Sequence, residues 1–546
     1  MKFPKKTNYM LILFLIALSL MLRFPNTPHS VGVDAFVMQG LANCIVRDGY
    51  AAWIIHPLSY LGLYPLSYPS GGIFLPASFV ALSGHSSEVS ILALSFLMGI
   101  IGVLGAYLLA REFKDDDVFA FLVAFLFCLA PKFILNTTWE TPTRGGFMAF
   151  TPIFLWALLR AHRQPSRKNI AMTITMLFIL ATFHRLAILM LIVILAYVFT
   201  YIFLIIVKIA KLKMPALFLR PRARSKMRLF GVAALLGLGI LLMFGSGVLE
   251  SYEWGKIAHG TSLLIQLLNL GTSLTRSAGA LTPFLLVGAV VLAYQRNKTL
   301  KESFILFIVL AIIPTLYLRK YTGFYVPIFI SLLAGMGIVG IVLVSKNRKR
   351  TSAAIVISIL LVASVLTVAL LGYESQGTKY MTREEYNTGL YARSRLNGTI
   401  FANNGLFASR VSAISGLPYL PVGGATIAGI GPEQLAYGFV LQSEVHVVQV
   451  PIDKLTIDSD SPFAAVEVPN PQSDYGTIHD GILDSPTYHA ANELLARYDV
   501  QYALEDKATY GHYSAFKKTY YSRFLSSVHN QRYKLYESGR TLIWPI

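Results

Sequence analysis

Few side chains in this sequence could move a proton or grip an anion, and most of them stand just beyond the end of an apolar run. Asp34 lies in Val31-Gly-Val-Asp-Ala-Phe36, shortly after the first such run closes near residue 24. A carboxylate there could abstract a proton from a hydroxyl or hold a metal; a turn or helix-cap aspartate is the plainer alternative. Glu140 and Arg144 share the stretch Asn136-Thr-Thr-Trp-Glu-Thr-Pro-Thr-Arg-Gly-Gly146. Arginine presents a planar fork of donors that suits a phosphate, and it also anchors turns at an interface. His184, in Thr182-Phe-His-Arg185, could shuttle a proton or bind a metal, or simply shape the turn. Arg319 and Lys320, in Tyr317-Leu-Arg-Lys-Tyr321, and Arg276 suit an anionic lipid headgroup, or snorkel from a helix end. No P-loop, no Cys/His metal pattern and no G-x-S-x-G stands in a suitable context.

The elements that must position these residues are apolar helices. The chain has 546 residues, 55% hydrophobic and 14% charged, well below the charged share of a soluble domain. Apolar runs predict spans at 9–24, 88–110, 118–135, 146–160, 169–183, 186–207, 229–248, 280–295, 303–318, 325–345 and 352–371. With the N-terminus inside, alternation puts the basic loops around Arg111, Arg160 to Lys168, Lys208 to Arg228, Arg296 to Lys301 and Lys346 to Arg350 on one side, as the positive-inside rule requires. The block Gly72–Gly84 is too short to cross, so it predicts a re-entrant or interfacial helix inside a long first outer loop, 25–87. The expected fold is therefore a mainly α membrane protein of about eleven transmembrane helices. Residues 1–371 form the membrane domain and 372–546 an extracytoplasmic α/β domain. The location is the cell membrane, multi-pass, with a cytoplasmic N-terminus.

Charge supports that division. Residues 1–371 hold 33 Lys and Arg against 11 Asp and Glu, and residues 372–546 hold 14 against 17. The net charge of +19 thus sits in membrane loops and argues against nucleic acid. The basic loop 208–228 also suits contact with anionic lipid. Cys128 falls inside an apolar run, so pairing with Cys44 is not expected. The first apolar run lacks a small-residue cleavage site and reads as a retained span. In the tail, Tyr386–Leu396 and Asn492–Arg497 read as helices, and Val445–Val450, Gln501–Leu504 and Tyr533–Tyr536 as strands.

This arrangement resembles the GT-C glycosyltransferases, polytopic enzymes that use polyprenyl-phosphate-linked sugars and include protein O-mannosyltransferases and the catalytic subunit of oligosaccharyltransferase. The likeness lies in Asp34 to Phe36, in Arg47-Asp-Gly49, in Tyr68-Pro-Ser-Gly71, in the second acid Glu140 and in the run Arg319 to Gly337. It extends to Ile414-Ser-Gly-Leu-Pro418, Tyr498 to Tyr502 and Tyr533 to Tyr536. Two features depart from the pattern. The W-W-D-Y-G signature is reduced to the fragment Ser473-Asp-Tyr-Gly476, and Asp34 has no second acid beside it. The resemblance implies inverting transfer from a polyprenyl-phosphate-linked sugar to a glycan or protein acceptor in cell-envelope synthesis. Asp34 would be the general base or, with Glu140, would hold a divalent cation, Mg or Mn, if one is used. Arg144, Arg185 or Arg319 would hold the donor phosphate, and membrane lipid would surround the bundle. A transporter or flippase of lipid-linked sugars predicts broken helices and internal repeats, neither of which stands out; a non-catalytic scaffold is the other alternative.

Overall fold

The computed structural model describes residues 2–209 apart from 26, 33, 52–53, 56–62, 65–68 and 141–142. It further describes 277–315 apart from 296–297, then 324–344, 380–419 apart from 418, 456–457, 466–467, 481–507 apart from 484 and 498, 523–546, and single residues at 234 and 238. The chain divides into two compact units. The first comprises Met1–Phe24, Ser95–Thr138 and Pro142–Gln376, and the second Pro25–Leu94, Trp139–Thr141 and Gly377–Ile546.

The first unit is helical. Its members are α1 (Lys5–Leu22), most of α4 (Ser87–Phe113), α5 (Asp117–Cys128), α6 (Pro131–Leu135), α7 (Arg144–Arg163), α8 (Arg167–Phe183), α9 (Leu189–Ile209), α10 (Thr282–Tyr294), α11 (Leu300–Thr315) and α12 (Pro327–Val344). Each described expected span falls on one of these. The spans at 229–248 and 352–371 lie outside the described residues, except for Ala234 and Leu238, which are helical. Among the described helices, Lys5–Leu22, Ser87–Phe113 and Leu186–Ile209 are each long and apolar enough to cross a membrane. The expected span 118–135 is broken into α5 and α6, because Pro131 opens a new helix and cannot continue the old one. Asp116 caps α5 through bonds from the amides of Val118 and Phe119, and Ser166 caps α8 through that of Asn169.

Two glycines set the tightest crossing. A Cβ on Gly288 of α10 would lie 1.7 Å from the Leu333 carbonyl oxygen, and one on Gly337 of α12 would lie 2.2 Å from that of Phe284. The backbones can approach this closely only because both positions lack side chains. At one end of the unit, Glu112 pairs with Arg163 at 2.9 Å and Lys301 at 3.3 Å, while Lys2 pairs with Asp115 at 2.8 Å. The N-terminus and the loops after α4, α7 and α10 therefore meet at the same end.

The second unit combines outer-loop helices with a small α/β fold. It holds α2 (Asp34–Asp48), α3 (Gly71–Ser83), α13 (Arg383–Arg395), α14 (Gly405–Ser415), α15 (Tyr488–Arg497) and α16 (Arg523–Gln531). Its strands are β1 (Ile54–Ile55), β2 (Leu63–Tyr64), β3 (Thr399–Ala402), β4 (Thr456–Ile457), β5 (Val466–Glu467), β6 (Val500–Asp506), β7 (Tyr536–Ser538) and β8 (Thr541–Pro545). The main sheet has the order β3-β6-β8-β7, parallel between β3 and β6 and antiparallel elsewhere; β1–β2 and β4–β5 are separate antiparallel pairs. Phe401, Val500, Ala503, Phe524, Leu542 and Trp544 form its core on one side of the sheet. The expected strand at 533–536 begins only at Tyr536, and the one at 445–450 lies outside the described residues. The apolar block after Tyr68 is indeed a 13-residue helix, α3, closed by Gly84 at φ +70°. Cys44 and Cys128 are buried and form no disulfide.

Candidate functional site

Asp34 is the first residue of α2, where a carboxylate is favoured by the helix dipole. The body of α2 is docked on the α/β fold. Phe36 is fully buried beside Met381 and Ala413, the Arg410 guanidinium lies 5.5 Å from its ring centroid, and the Asn43 amide donates to the Ala413 carbonyl at 2.7 Å. Arg410 in turn is held by Glu385 at 2.9 Å.

The second acid arrives from a distant part of the sequence. The Val31 amide donates to the Trp139 carbonyl at 3.0 Å, which stitches the segment before Asp34 to the segment carrying Glu140. A Cβ on Gly32 would lie 3.4 Å from Glu140 Cγ and 3.5 Å from its Oε1. Gly32 has φ +117°, a conformation that suits glycine, and a Cβ there would also press on the Ala35 Cβ at 2.9 Å. Trp139 has φ +47°, a left-handed conformation costing a bulky residue on the order of 1–3 kcal/mol. Its indole N–H donates to the Glu88 main-chain carbonyl at 3.3 Å and helps to hold that turn. Burial, and then the charge of Glu88, push the Tyr386 hydroxyl in this cluster above its usual pKa.

Cations gather in the first unit. Arg144 opens α7, and its guanidinium lies 5.6 Å from the Phe324 ring centroid. Lys132 Nζ approaches the same centroid at 5.9 Å. The negative face of that ring attracts both cations. Arg23 is fully buried at the end of α1; it donates from Nε to Thr137 Oγ1 at 2.8 Å and from Nη1 to Ser19 Oγ at 3.0 Å. It ties α1 to the turn before Trp139. His184 caps the turn between α8 and α9: its Nδ1 accepts the Leu186 amide at 3.1 Å. Arg185 begins that turn, and Arg276, Arg319 and Lys320 lie outside the described residues.

The structure thus brings Glu140 to the segment that leads into Asp34, and it adds Lys132 to Arg144. Sequence reasoning passed over Lys132, Arg23 and His29. Lys132 stands inside an apolar run, and a charge there was the available signal. No group of three or more Asp, Glu, His or Cys gathers as a metal site among the described residues.

A family model covers residues 9–406, most of the chain. The chain belongs to the family of unknown function DUF6541. No curated protein matches this member of DUF6541. Solved structures do. The oligosaccharyltransferase of Archaeoglobus fulgidus, in complex with Zn and sulfate, is 12% identical with a TM-score of 0.57, over 98% of this chain and 72% of that one. The same archaeal enzyme with an inhibitory peptide and a dolichol-phosphate gives 14% and 0.53, over 92% of this chain and 70% of that one. ArnT of Cupriavidus metallidurans in the apo state gives 13% and 0.50, over 98% and 97% of the two chains. At these identities the likeness is one of fold.

Proposed function

We propose that this protein is a membrane glycosyltransferase that moves a sugar from a polyprenyl-phosphate-linked donor to a glycan or protein acceptor on the outer face of the membrane, with inversion. The observation that carries the reading is the stitching of Glu140 to the segment before Asp34, which gives acids 106 positions apart a common setting. The GT-C fold, shared with an enzyme solved with dolichol-phosphate, supports the donor class.

In this reading Asp34 takes the proton of the acceptor hydroxyl as its oxygen attacks the anomeric carbon. The bond from that carbon to the phosphate oxygen breaks, and the lipid phosphate leaves with the electron pair. Arg144 with Lys132, and Arg185, Arg276, Arg319 and Lys320, are the cations available to that phosphate, which carries more charge as it departs. Asp34 and Glu140 would be the hard oxygen donors to a divalent cation, Mg or Mn, if one is used. Such an ion would supply positive charge to the leaving phosphate.

The test uses the full-length protein in lipid nanodiscs. A polyprenyl-phosphate sugar should support transfer, and Asp34→Asn should abolish it while the protein stays folded. Direct transfer from a nucleotide sugar without lipid would remove the donor assignment, and near-normal turnover by Asp34→Asn would remove the base.

A further inference from the structure

The second unit contains a buried carboxylate that the transfer chemistry does not use. Glu88, in the first turn of α4, is 8% exposed. Its Oε1 accepts the Ser30 amide at 2.8 Å and lies 3.3 Å from His29 Nδ1. The His29 ring stacks on Tyr386, with centroids 3.9 Å apart and planes at 20°. The main-chain carbonyl of the same residue takes the Trp139 indole N–H. Beside it, Gln39 donates to Ser87 Oγ at 3.0 Å and so ties α2 to the start of α4. An acid in the first turn of a helix needs no burial to serve the dipole, since a solvated one does as well. Burying it is costly unless its bonds are made; the carboxylate's bond runs to the segment that precedes Asp34, and the main-chain carbonyl's to the residue before Glu140.

We propose that Glu88 is a positioning residue that sets Glu140 against the segment leading into Asp34; the proposal rests on the transfer reading above. Its carboxylate fixes residues 29–30, and its carbonyl fixes the left-handed Trp139. The Val31 amide then reaches the Trp139 carbonyl, and Glu140 follows into the space beside Gly32. Glu88 touches neither acid in this scheme and acts through the two turns. A displacement of either segment by about 1 Å is enough to cost on the order of 100-fold in rate.

Three variants of the full chain test this: Glu88→Gln, Glu88→Ala and Trp139→Phe. Glutamine can still accept the Ser30 amide, so Glu88→Gln should keep turnover within about 3-fold. Glu88→Ala and Trp139→Phe should each lower kcat by roughly 30- to 100-fold with the donor KM little changed. The double variant should be no worse than the poorer single, because both loosen the one Val31–Trp139 hydrogen bond. If Gln is as damaging as Ala, Glu88 takes part in the chemistry and the positioning role falls. If only KM rises, or kcat is normal in Ala and Phe variants, it also falls. Hydrogen exchange of the Val31 amide is read on the same proteins and needs no activity. Its protection should be lost in Glu88→Ala and Trp139→Phe and kept in Glu88→Gln, while α4 beyond Ser95 stays protected. Unchanged protection in all three would overturn the proposal. If the wild type transfers nothing from a polyprenyl-phosphate sugar, the transfer reading fails, and the exchange result still decides whether Glu88 orders the two segments.

Discussion

At the scale of single residues, the decisive question is how a phosphate would be held. Arg144 and Lys132 lie 5.6 and 5.9 Å from the centroid of the same ring, that of Phe324. The ring face attracts the guanidinium, whose planar fork suits a phosphate. If Arg144 grips the donor phosphate, Arg144→Lys keeps the charge but loses the second parallel bond. It should lower kcat/KM for the lipid donor by about 10-fold, and Arg144→Ala by about 100-fold. Steady-state kinetics with a defined polyprenyl-phosphate sugar would show it, and a fully active Arg144→Lys would limit Arg144 to a point charge. The sequence offered candidate residues for such a site by type. Asp34, Glu140 and Arg144 stood out because charge beside a span needs a reason. What was not legible is pairing. Nothing in Val31-Gly-Val-Asp announces that Gly32 will face Glu140, and the left-handed turn at Trp139 has no signature in a tryptophan. Glu88 was visible as an outer acid, but its partner Ser30 is 58 positions away in sequence.

At the scale of elements, helix crossing governs the membrane part. The α10–α12 crossing depends on Gly288 and Gly337, each meeting backbone where a Cβ would go. Backbone cannot rotate away, so Gly288→Ala should destabilise by about 1–3 kcal/mol or more. Gly340 differs: a Cβ there meets the Val291 side chain at 2.8 Å, which can shift. Thermal unfolding in detergent should therefore rank Gly288→Ala well below Gly340→Ala, and equal midpoints would mean that the two helices are not so tightly crossed. Apolar periodicity exposed these helices readily, because a span has to be long and uncharged. It did not expose the break between α5 and α6, although Pro131 was there to be read. In the tail, Thr382 and Glu385 form a capping box, so α13 starts at Arg383 rather than at the expected Tyr386. The order of its strands could not be read, since β3 and β6 are a hundred residues apart yet pair in parallel.

At the scale of the whole molecule, the remaining question is which end of the bundle faces the cytoplasm. The N-terminus and the loops at Glu112, Arg163 and Lys301 share one end of the first unit through ion pairs. These loops are basic, and so is the segment 208–228, which has no acid at all. From the positive-inside rule we propose a cytoplasmic N-terminus and an extracytoplasmic tail 372–546. Single cysteines introduced at 208–228 should be protected from a membrane-impermeant reagent in whole cells, and those in 372–546 should be labelled. Labelling of both from the same side would break the assignment. The sequons sharpen the test. Asn297-Lys-Thr299 would face inward, whereas Asn136-Thr-Thr138 and Asn397-Gly-Thr399 would face outward. By sequence alone both outward sites are open to glycosylation. The structure corrects this for Asn136, which is 8% exposed and donates from its side-chain amide to the Lys132 carbonyl at 2.8 Å. A transferase cannot reach an amide committed in that way, while Asn397 is exposed at the end of α13. Expressed in a host that glycosylates such sequons outside the membrane, the protein should gain one glycan, lost on Asn397→Gln and unaffected by Asn136→Gln. A glycan at Asn297 would invert the topology, and with it the side on which Asp34 and Glu140 could meet a donor.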